Sequence, residues 1–391
     1  MVIVSHKWQP PPSHMGPSWQ ARGGVAERWP HRATRRAVEQ VFEGAGVRCN
    51  GSRLFDPQIL DDRFYTACAT RGTLGFGESY VANWWACDDL EELAYRLTVS
   101  RINQVGRFAP LLAMSYLVSL LRNNQTLERS RRVADRHYNI GNDLFFSFLG
   151  RYRNYSCALF EGTESLDAAQ KAKMERICEL LELSERDHLL DVGGGWGHLA
   201  RHAALQHGCT VTSINIADEQ ITYAREMCAG LPVDVRKCDY RQLTGRYTKA
   251  AVVAMFTHVG SKNHRTFFEC IHRCLPEGSR LVMETVGSSH SNVTLEPWTE
   301  RHIFPGGVVP SLRQIDHAAS GLFVRGYTRE FGSHYVLTLR AWYDNLMAAW
   351  PELSTRYSES TLRTFEYFFL TVAGTFRAGR LKHWHLVMSK V

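Results

Sequence analysis

Strand-like and helical segments alternate between residues 164 and 287. Residues 164–183 carry apolar side chains at helical spacing, as in an amphipathic helix. Five strand-like segments follow, separated by helical or turn-forming stretches: residues 188–192, 210–216, 233–239, 249–256 and 279–287. Residues 249–256 are nearly all apolar, which is typical of a parallel strand covered on both faces. The alternation predicts an α/β fold with a doubly wound, mostly parallel, Rossmann-like sheet.

The first of these strands runs into a cluster of glycines. Asp191, Gly193, Gly195 and Gly197 stand in the order D-x-G-x-G-x-G, and helical spacing resumes at Leu199. Glycine lets the backbone turn tightly and approach a ligand closely, and the next helix directs its N-terminus at that ligand. The turn therefore predicts a nucleoside cofactor. Its spacing differs from the dinucleotide fingerprint and resembles motif I of S-adenosylmethionine-dependent methyltransferases.

The other strand ends carry further candidate residues. Ligands of doubly wound sheets gather at the carboxyl ends of the strands. These ends hold residues 191–195, Asn215, Asp239, residues 257–258 and residues 284–287. We therefore expect the binding site at this edge of the sheet. Asp218 follows the second strand, and its side chain is expected to cap the next helix.

The chain before this sheet predicts a smaller, mainly helical domain. Residues 1–36 are rich in Pro, Trp and Arg and are interpreted as a loose leader, followed by an N-terminal domain over residues 37–125. Residues 72–80 contain three glycines, so tight turns in a small domain core are expected there. The alternative is a surface that contacts an apolar substrate or a lipid interface.

A basic stretch separates this domain from the rest of the chain. Residues 122–136 are expected to contain the boundary, which gives a catalytic domain over residues 126–391. Residues 137–146 mix polar and aromatic side chains, which favours a segment that folds over a ligand. The alternation stops after residue 287, and the aromatic-rich residues 288–364 are interpreted as a lid over the site. Residues 381–391 are expected to return to the sheet as a strand.

Composition narrows the class of protein. The 391 residues include 46 basic and 39 acidic side chains, and the net charge of +7 suits an anionic membrane or nucleic acid only weakly. Ten cysteines contain no C-x-x-C pair, so a reducing cytoplasm is expected and no metal site is predicted. No run of about 18 apolar residues exists, so no transmembrane segment is expected.

Several of these stretches together resemble the cyclopropane-fatty-acyl-phospholipid synthases, and the likeness covers nearly the whole chain. They are residues 72–80, 137–145, 155–157, 191–197, 219–220, 239–241, 258–260, 303–305, 341–343 and 373–377. The resemblance implies a class I methyltransferase fold. It also implies transfer of a methylene group from S-adenosylmethionine to the cis double bond of an unsaturated phospholipid acyl chain. A cytoplasmic enzyme at the membrane surface, a homodimer and no nucleic-acid partner are expected.

Ten residues are candidates for holding S-adenosylmethionine. The three glycines of the turn are expected at the amino-acid end of the cofactor, and Tyr155 and Ser156 are expected to close over it. The adenosine side is assigned to Gln220, Asp239 and Tyr240, with Asn215 in the place of a threonine of the family. The complete set is Tyr155, Ser156, Asp191, Gly193, Gly195, Gly197, Asn215, Gln220, Asp239 and Tyr240.

The resemblance also implies a bound bicarbonate that removes a proton from the transferred methyl group. In the family a cysteine, a glutamate, a histidine, a backbone group and a tyrosine hold it. Cys157, the backbone of Val286 and Tyr343 match three of these groups. Thr257 replaces the glutamate and Glu284 replaces the histidine. His258 is expected to orient the pocket, and Gly194 stands where the family usually has cysteine.

The exchange at Thr257 and Glu284 leaves two accounts open. Both residues are expected at adjacent strand ends, facing the transferred methyl group. In the first account they rebuild the anion pocket, or Glu284 itself acts as the base, and a cyclopropane ring forms. In the second, the carboxylate repels bicarbonate and a methyl-branched or methylene product results. A small-molecule methyltransferase and a catalytically weak lipid-binding protein are the remaining interpretations.

Overall fold

The computed structural model describes residues 29–100, 141–292 and 294–391. The interpretations made for residues 1–28 and 101–140, including the boundary at residue 126, the basic stretch 122–136 and His137, lie outside these described residues. No helix in the described part of the chain is long and apolar enough to span a membrane.

The N-terminal part is mainly helical. Its elements are α1 (Trp29–Gly44), β1 (Gln58–Ile59), α2 (Arg63–Val81), β2 (Trp85–Ala86) and α3 (Leu90–Val99). Helix α1 begins within the predicted leader, where Arg35 pairs with Glu39 one helical turn later, at 2.9 Å. The sequence predicts that the leader ends at residue 36 and the domain begins at Ala37. The first helix starts at Trp29, so the predicted boundary is wrong by eight residues.

The glycine-rich residues 72–80 lie within helix α2, so the predicted tight turns are wrong. Only Gly72, with φ 56° and ψ −132°, departs from helical geometry, and it kinks the helix. Gly77 serves packing, because a Cβ atom there would lie 2.4 Å from the Trp298 ring. Phe76 stacks on the buried Trp85, so this stretch is part of the domain core.

The remaining elements form the α/β domain. They are α4 (Asn142–Leu149), α5 (Leu166–Leu181), β3 (His188–Val192), α6 (His198–His207), β4 (Thr210–Asn215), α7 (Asp218–Met227), β5 (Val233–Lys237), β6 (Lys249–Val253), α8 (His264–Cys274), β7 (Arg280–Ser288), α9 (Pro297–His302), α10 (Leu312–Ala319), β8 (Phe323–Glu330), α11 (Gly332–Leu353), α12 (Glu359–Arg377) and β9 (Leu381–Lys390).

Seven of the strands form one sheet in the order β5-β4-β3-β6-β7-β9-β8. Strands β3 to β7 pair in parallel, and β9 runs antiparallel between β7 and β8. The predicted α/β class, the doubly wound parallel sheet and the returning strand are confirmed. The N-cap of α7 is Ala217 and not Asp218, whose carboxylate instead pairs with Lys237 of the adjacent strand β5.

Two segments near the site differ from expectation. Residues 142–149 form helix α4, which buries Leu144, Phe145, Phe148 and Leu149 and is therefore part of the core. The predicted lid over residues 288–364 contains an edge strand of the sheet, β8, so it is not one insertion. Its first part, residues 288–309, does cover the site described below.

One apolar core joins the N-terminal helices to α4, α11 and α12. A buried ion cluster crosses the same boundary. The Glu91 carboxylate accepts hydrogen bonds from Arg340 at 2.6 Å and from Arg377 at 2.9 Å, and Glu91 is almost completely buried. Because breaking a buried ion pair leaves uncompensated charge, this cluster fixes the N-terminal helices on the α/β domain.

Candidate active site

A cavity of about 1300 Å³ lies between the carboxyl edge of the sheet and the N-terminal helices. The sheet side of its wall is polar and includes Asp191, Asn215, Asp239 and Thr257. The opposite side is largely apolar, and the residues there include Val38, Phe42, Phe76, Leu97, Leu339, Phe368 and Val372. The strand ends selected from the sequence thus share one cavity with the N-terminal domain.

The glycine turn forms part of this wall. Gly193 has φ 83°, and a Cβ atom there would lie 2.7 Å from Met255. Gly195 also has positive φ and lines the cavity, whereas Gly197 does not line it. Gly197 instead allows close packing on α7, because a Cβ atom there would lie 2.8 Å from that of Ala224. Its predicted contact with the cofactor is therefore not supported by its position.

Asp191 and Ser213 fill the space beside Gly194. The Ser213 hydroxyl donates a hydrogen bond of 3.0 Å to Asp191 Oδ2, and a Cβ atom at Gly194 would lie 1.8 Å from that hydroxyl oxygen. The larger cysteine of the family does not fit here, because serine occupies its space. Burial raises the pKa of Asp191 to about 6, although the Ser213 hydrogen bond lowers it.

Polar groups of the next two strand ends face the same region. Asn215 donates to Gln220 Oε1 at 2.8 Å, which orients both amides. Asp239 accepts two hydrogen bonds from the Arg241 guanidinium, each of 2.7 Å. The buried Tyr240 hydroxyl has no hydrogen-bond partner among the described residues. Carboxylates, amides and an unpaired hydroxyl beside a glycine turn fit the amino acid, ribose and adenine of S-adenosylmethionine.

Tyr155 and Ser156 line the cavity. Their closing over the cofactor remains a prediction. The Ser156 hydroxyl accepts a hydrogen bond from the buried Lys173 ammonium, which links the cavity wall to helix α5. The Tyr155 ring lies 5.2 Å from the ring of Trp342 and 6.1 Å from that of Phe304, measured between centroids. Aromatic rings therefore lie where the polar side of the cavity wall meets its apolar side.

Thr257 and His258 lie in a short turn after strand β6, and both line the cavity. The Thr257 hydroxyl donates to the Ala254 carbonyl at 3.3 Å. The His258 ring contacts Phe304 edge-on, with 5.3 Å between centroids. Removal from bulk water lowers the pKa of His258 to about 4, so the imidazole is neutral at pH 7.

Glu284 is not at a strand end, which corrects the position expected for it. It lies in the middle of β7, is completely buried and does not line the cavity. Its Oε1 atom is 3.1 Å from His383 Nε2, and its Oε2 atom is 3.9 Å from His385 Nε2. Both histidines belong to strand β9, so a carboxylate and two imidazoles form a buried cluster behind the cavity wall.

The charges of this cluster are balanced within the protein. Burial opposes ionisation of Glu284, but the Lys173 ammonium and the His383 hydrogen bond outweigh it and lower its pKa to about 2. Burial lowers the pKa of His385 to about 3, despite the opposing charge of Glu284. Burial, reinforced by the Glu284 charge, raises the pKa of the Cys157 thiol. At neutral pH the cluster therefore holds an ionised Glu284 carboxylate and a neutral His385 imidazole. The neighbouring Cys157 thiol stays protonated.

The structure separates the other candidates for the bicarbonate pocket. The backbone of Val286 lines the cavity, and Cys157 is buried beside Phe331 behind its wall. Tyr343 lies elsewhere, since its hydroxyl donates to Glu366, 3.5 Å away, and that carboxylate also bonds Tyr80 of the N-terminal domain. Tyr343 is thus not among the residues that line the cavity, and its expected contact with bicarbonate is not supported by its position.

Three residues of the site were missed. Tyr335, two helical turns before Tyr343 on α11, lines the cavity, and its ring centroid is 5.3 Å from that of His383. His383 and His385 alternate with Trp384 on β9, so both imidazoles point to the same face of the strand. That spacing in the returning strand is the sequence signal that could have found them.

Known proteins share both the sequence and the fold. Residues 125–386 match the family described as mycolic acid cyclopropane synthetase. The cyclopropane-fatty-acyl-phospholipid synthase of Escherichia coli strain K12 is 36% identical over 357 residues, which cover 91% of this chain and 93% of that protein. Tuberculostearic acid methyltransferase of Mycobacterium tuberculosis is 28% identical over 406 residues, covering 95% of this chain and 93% of its own.

Solved structures confirm the fold. A cyclopropane synthase from Mycobacterium tuberculosis aligns with a TM-score of 0.62 at 24% identity, covering 66% of this chain and 98% of its own. Coclaurine N-methyltransferase aligns with a TM-score of 0.67 at 19% identity, and the alignment covers 81% of this chain and 99% of that protein. The chain therefore belongs to the mycolic acid cyclopropane synthetase family and is an S-adenosylmethionine-dependent enzyme with a methyltransferase fold.

Proposed function

We propose that this enzyme transfers a methylene group from S-adenosylmethionine to the cis double bond of an unsaturated phospholipid acyl chain and forms a cyclopropane ring. One observation carries the proposal: the glycine turn and the apolar surface of the N-terminal helices line the same cavity. An acyl chain on the apolar side reaches the cofactor side without passing through water. The E. coli relative, which aligns over both parts of the chain, is named for this substrate class.

Bound S-adenosylmethionine supplies an electrophilic methyl carbon. The protein must hold the alkene in line with that carbon and exclude water, because an unactivated alkene is a weak nucleophile. Attack of the alkene on that carbon would break the methyl–sulfur bond, release S-adenosylhomocysteine and leave the positive charge on the acyl chain. The aromatic rings of Tyr155, Phe304 and Tyr335 line the cavity, and their faces stabilise a cation.

Ring closure requires removal of one proton from the transferred methyl group, whose electrons form the second carbon–carbon bond. We assign this proton ultimately to the Glu284 carboxylate, which His383 orients. Because Glu284 is buried and does not line the cavity, the proton has to reach it by relay and not by direct contact with the methyl group. Tyr335 lines the cavity and contacts His383, so the path from cavity to carboxylate runs past this residue. Glu284 is ionised, and a bicarbonate ion beside this carboxylate would meet repulsion. The protein's own carboxylate therefore takes the place of bicarbonate.

The substrate also implies a location. We propose a cytoplasmic enzyme that binds the membrane surface peripherally, because a phospholipid acyl chain has to leave the bilayer to enter the cavity. The homodimer expected from the family resemblance remains a prediction, and size measurement in solution tests it.

Incubation with S-adenosylmethionine and vesicles of monounsaturated phospholipid tests the proposed activity. We expect the acyl chains to gain the mass of one methylene group, with shielded ring protons in the proton NMR spectrum. Depletion of bicarbonate from the buffer should leave the rate unchanged. A methyl-branched or methylene product contradicts ring formation, whereas retained cofactor binding with no lipid product identifies a lipid-binding homologue. Methylation of small amines under the same conditions would instead favour a small-molecule methyltransferase.

A further inference from the structure

A second group of metal-ligating side chains lies between helices α5 and α6. Glu175 and Cys178 are three residues apart on α5 and therefore share one face of that helix. His202 and His207 come from α6. The Cys178 sulfur and one ring nitrogen of each histidine all lie within 4.8 Å of one another. None of these four residues lines the cavity.

Glu175 completes the group. Its two carboxylate oxygens lie 2.9 Å from His202 Nε2 and 3.4 Å from His207 Nε2. The His207 Nε2 atom is buried and makes no hydrogen bond to any residue that the structure describes. A buried ring nitrogen without a hydrogen bond costs free energy, and coordination of a metal ion would remove that cost. One thiol and two imidazoles thus converge on one point, and the Glu175 carboxylate lies against both imidazoles.

We propose that Cys178, His202, His207 and Glu175 form a Zn²⁺ site. Sulfur and imidazole nitrogen are preferred zinc ligands, and zinc binds them at about 2.3 and 2.0–2.1 Å in a tetrahedron. Such bond lengths place ligand atoms about 3.5 Å from each other. The donor atoms of Cys178, His202 and His207 lie within 4.8 Å of one another and need only side-chain adjustments to close around the ion. Glu175, which contacts both imidazoles, has to turn towards the ion as the fourth ligand.

The exposure of the four side chains would let a metal ion enter the site from solvent. Cys178 is completely buried, His202 and His207 retain 8% and 17% of their side-chain exposure, and Glu175 retains 42%. Zinc can therefore enter past Glu175. Burial raises the pKa of the Cys178 thiol, so zinc binding has to release its proton and should strengthen as pH rises.

The other described group with donor atoms close enough to hold a metal ion is Glu284, His383 and His385. It differs from the α5–α6 group in the charge beside it. The Lys173 ammonium lies close enough to stabilise the Glu284 carboxylate and would repel a divalent cation there. At the α5–α6 group the nearby cation is Lys171, which acts on His202, but this lysine is exposed and water screens its charge. Zinc at this site would tie α5 to α6, the helix that begins at the glycine turn, so its role would be structural.

Metal titration of the purified full chain tests the site. We expect Zn²⁺ to compete successfully against a chromophoric chelator, and Co²⁺ to give visible bands of a tetrahedral ion together with a sulfur-to-cobalt charge-transfer band. Cys178→Ser should abolish that band and weaken zinc binding by about 100-fold or more, a loss of the size seen when metal-site residues are changed. Cys270→Ser changes a buried cysteine of α8 and is the matched control. It should retain both the sulfur-to-cobalt band and the zinc affinity of the unaltered chain.

Thermal unfolding provides an independent measurement. Zinc should raise the unfolding temperature of the unaltered chain and of Cys270→Ser, because it binds only the folded site. His207→Gln removes one ligand at a partly exposed position and serves if Cys178→Ser does not fold. A cobalt spectrum without the sulfur band, or zinc binding equal in His207→Gln and the unaltered chain, overturns the proposal. These outcomes are independent of lipid modification.

Discussion

The Nε2 atom of His383 lies 3.1 Å from the Oε1 atom of Glu284, across two neighbouring antiparallel strands. Glu284 stands directly opposite His385 in the register of β7 and β9, and His383 is opposite Val286. Both partners of the hydrogen bond are buried, so the pair is shielded from solvent. A hydrogen bond to a charged group is stronger than a neutral one, and here it fixes the carboxylate next to the cavity wall.

Glu284→Gln tests the carboxylate as the base. The change keeps the volume of the side chain but removes the group that accepts the proton. We expect turnover on phospholipid vesicles to fall by about 100-fold to 10,000-fold, the usual contribution of a general base. The dissociation constant for S-adenosylmethionine should change much less, because Glu284 does not line the cavity. Initial rates and calorimetric titration provide the two values.

Glu366→Gln is the matched control, since Glu366 is a half-buried glutamate that bonds Tyr80 and Tyr343 and does not line the cavity. Equal losses of turnover in both variants would indicate a general effect on the fold. An unaltered rate in Glu284→Gln would remove this carboxylate from the mechanism. Activity of Glu284→Gln that returns on adding bicarbonate would show that this anion can serve in its place.

Tyr335 and Tyr343 have different roles despite lying on the same helix. Tyr335 lines the cavity and its ring contacts His383, so Tyr335→Leu, which removes the aromatic face, should lower turnover by at least tenfold. Tyr343→Phe removes the hydroxyl that faces Glu366 and should destabilise the fold by about 1 kcal/mol. Its turnover should stay within a factor of two or three of the unaltered enzyme. Rates and chemical unfolding of both variants check this, and the reverse ranking would restore Tyr343 to the site.

The sequence predicts the cofactor half of the site better than the base half. Asp191, Asn215 and Asp239 follow successive parallel strands, so topology alone places them at one edge. Glu284 and His383 are 99 residues apart, and the antiparallel register that joins them is not visible in either local pattern. The glycines of residues 72–80 suggest turns, because the sequence does not show that Trp298 packs against Gly77.

Gly194→Cys tests why this chain departs from the family at the glycine turn. The new Cβ atom would lie 1.8 Å from Ser213 Oγ, so the variant should lose about 1–3 kcal/mol of stability, as overpacked sites do. Ser213→Ala removes that oxygen and leaves Asp191 Oδ2 at 2.6 Å and the Cβ atom of residue 213 at 3.2 Å, so the overlap is relieved only in part. We therefore expect the double variant to be more stable than Gly194→Cys alone. Urea unfolding of all four proteins yields the coupling energy, and strictly additive effects would show that the clash relaxes elsewhere.

His264 makes stability depend on pH. Its ring stacks on Phe256 with 4.6 Å between centroids, and burial lowers its pKa to about 4 from the ordinary 6.5. Between these values the unfolded chain binds a proton that the folded chain does not, so stability falls as pH decreases, by about 1.4 kcal/mol per pH unit for this group. His264→Asn should reduce the slope of unfolding free energy against pH by that amount. Urea unfolding between pH 6 and pH 4.5, within the window that the pKa shift defines, measures it.

His302→Gln alters an exposed histidine and is the control, which should keep the original slope. An unchanged slope in His264→Asn would mean that the ring is protonated in the folded protein, and the stacking on Phe256 would then hold a cation.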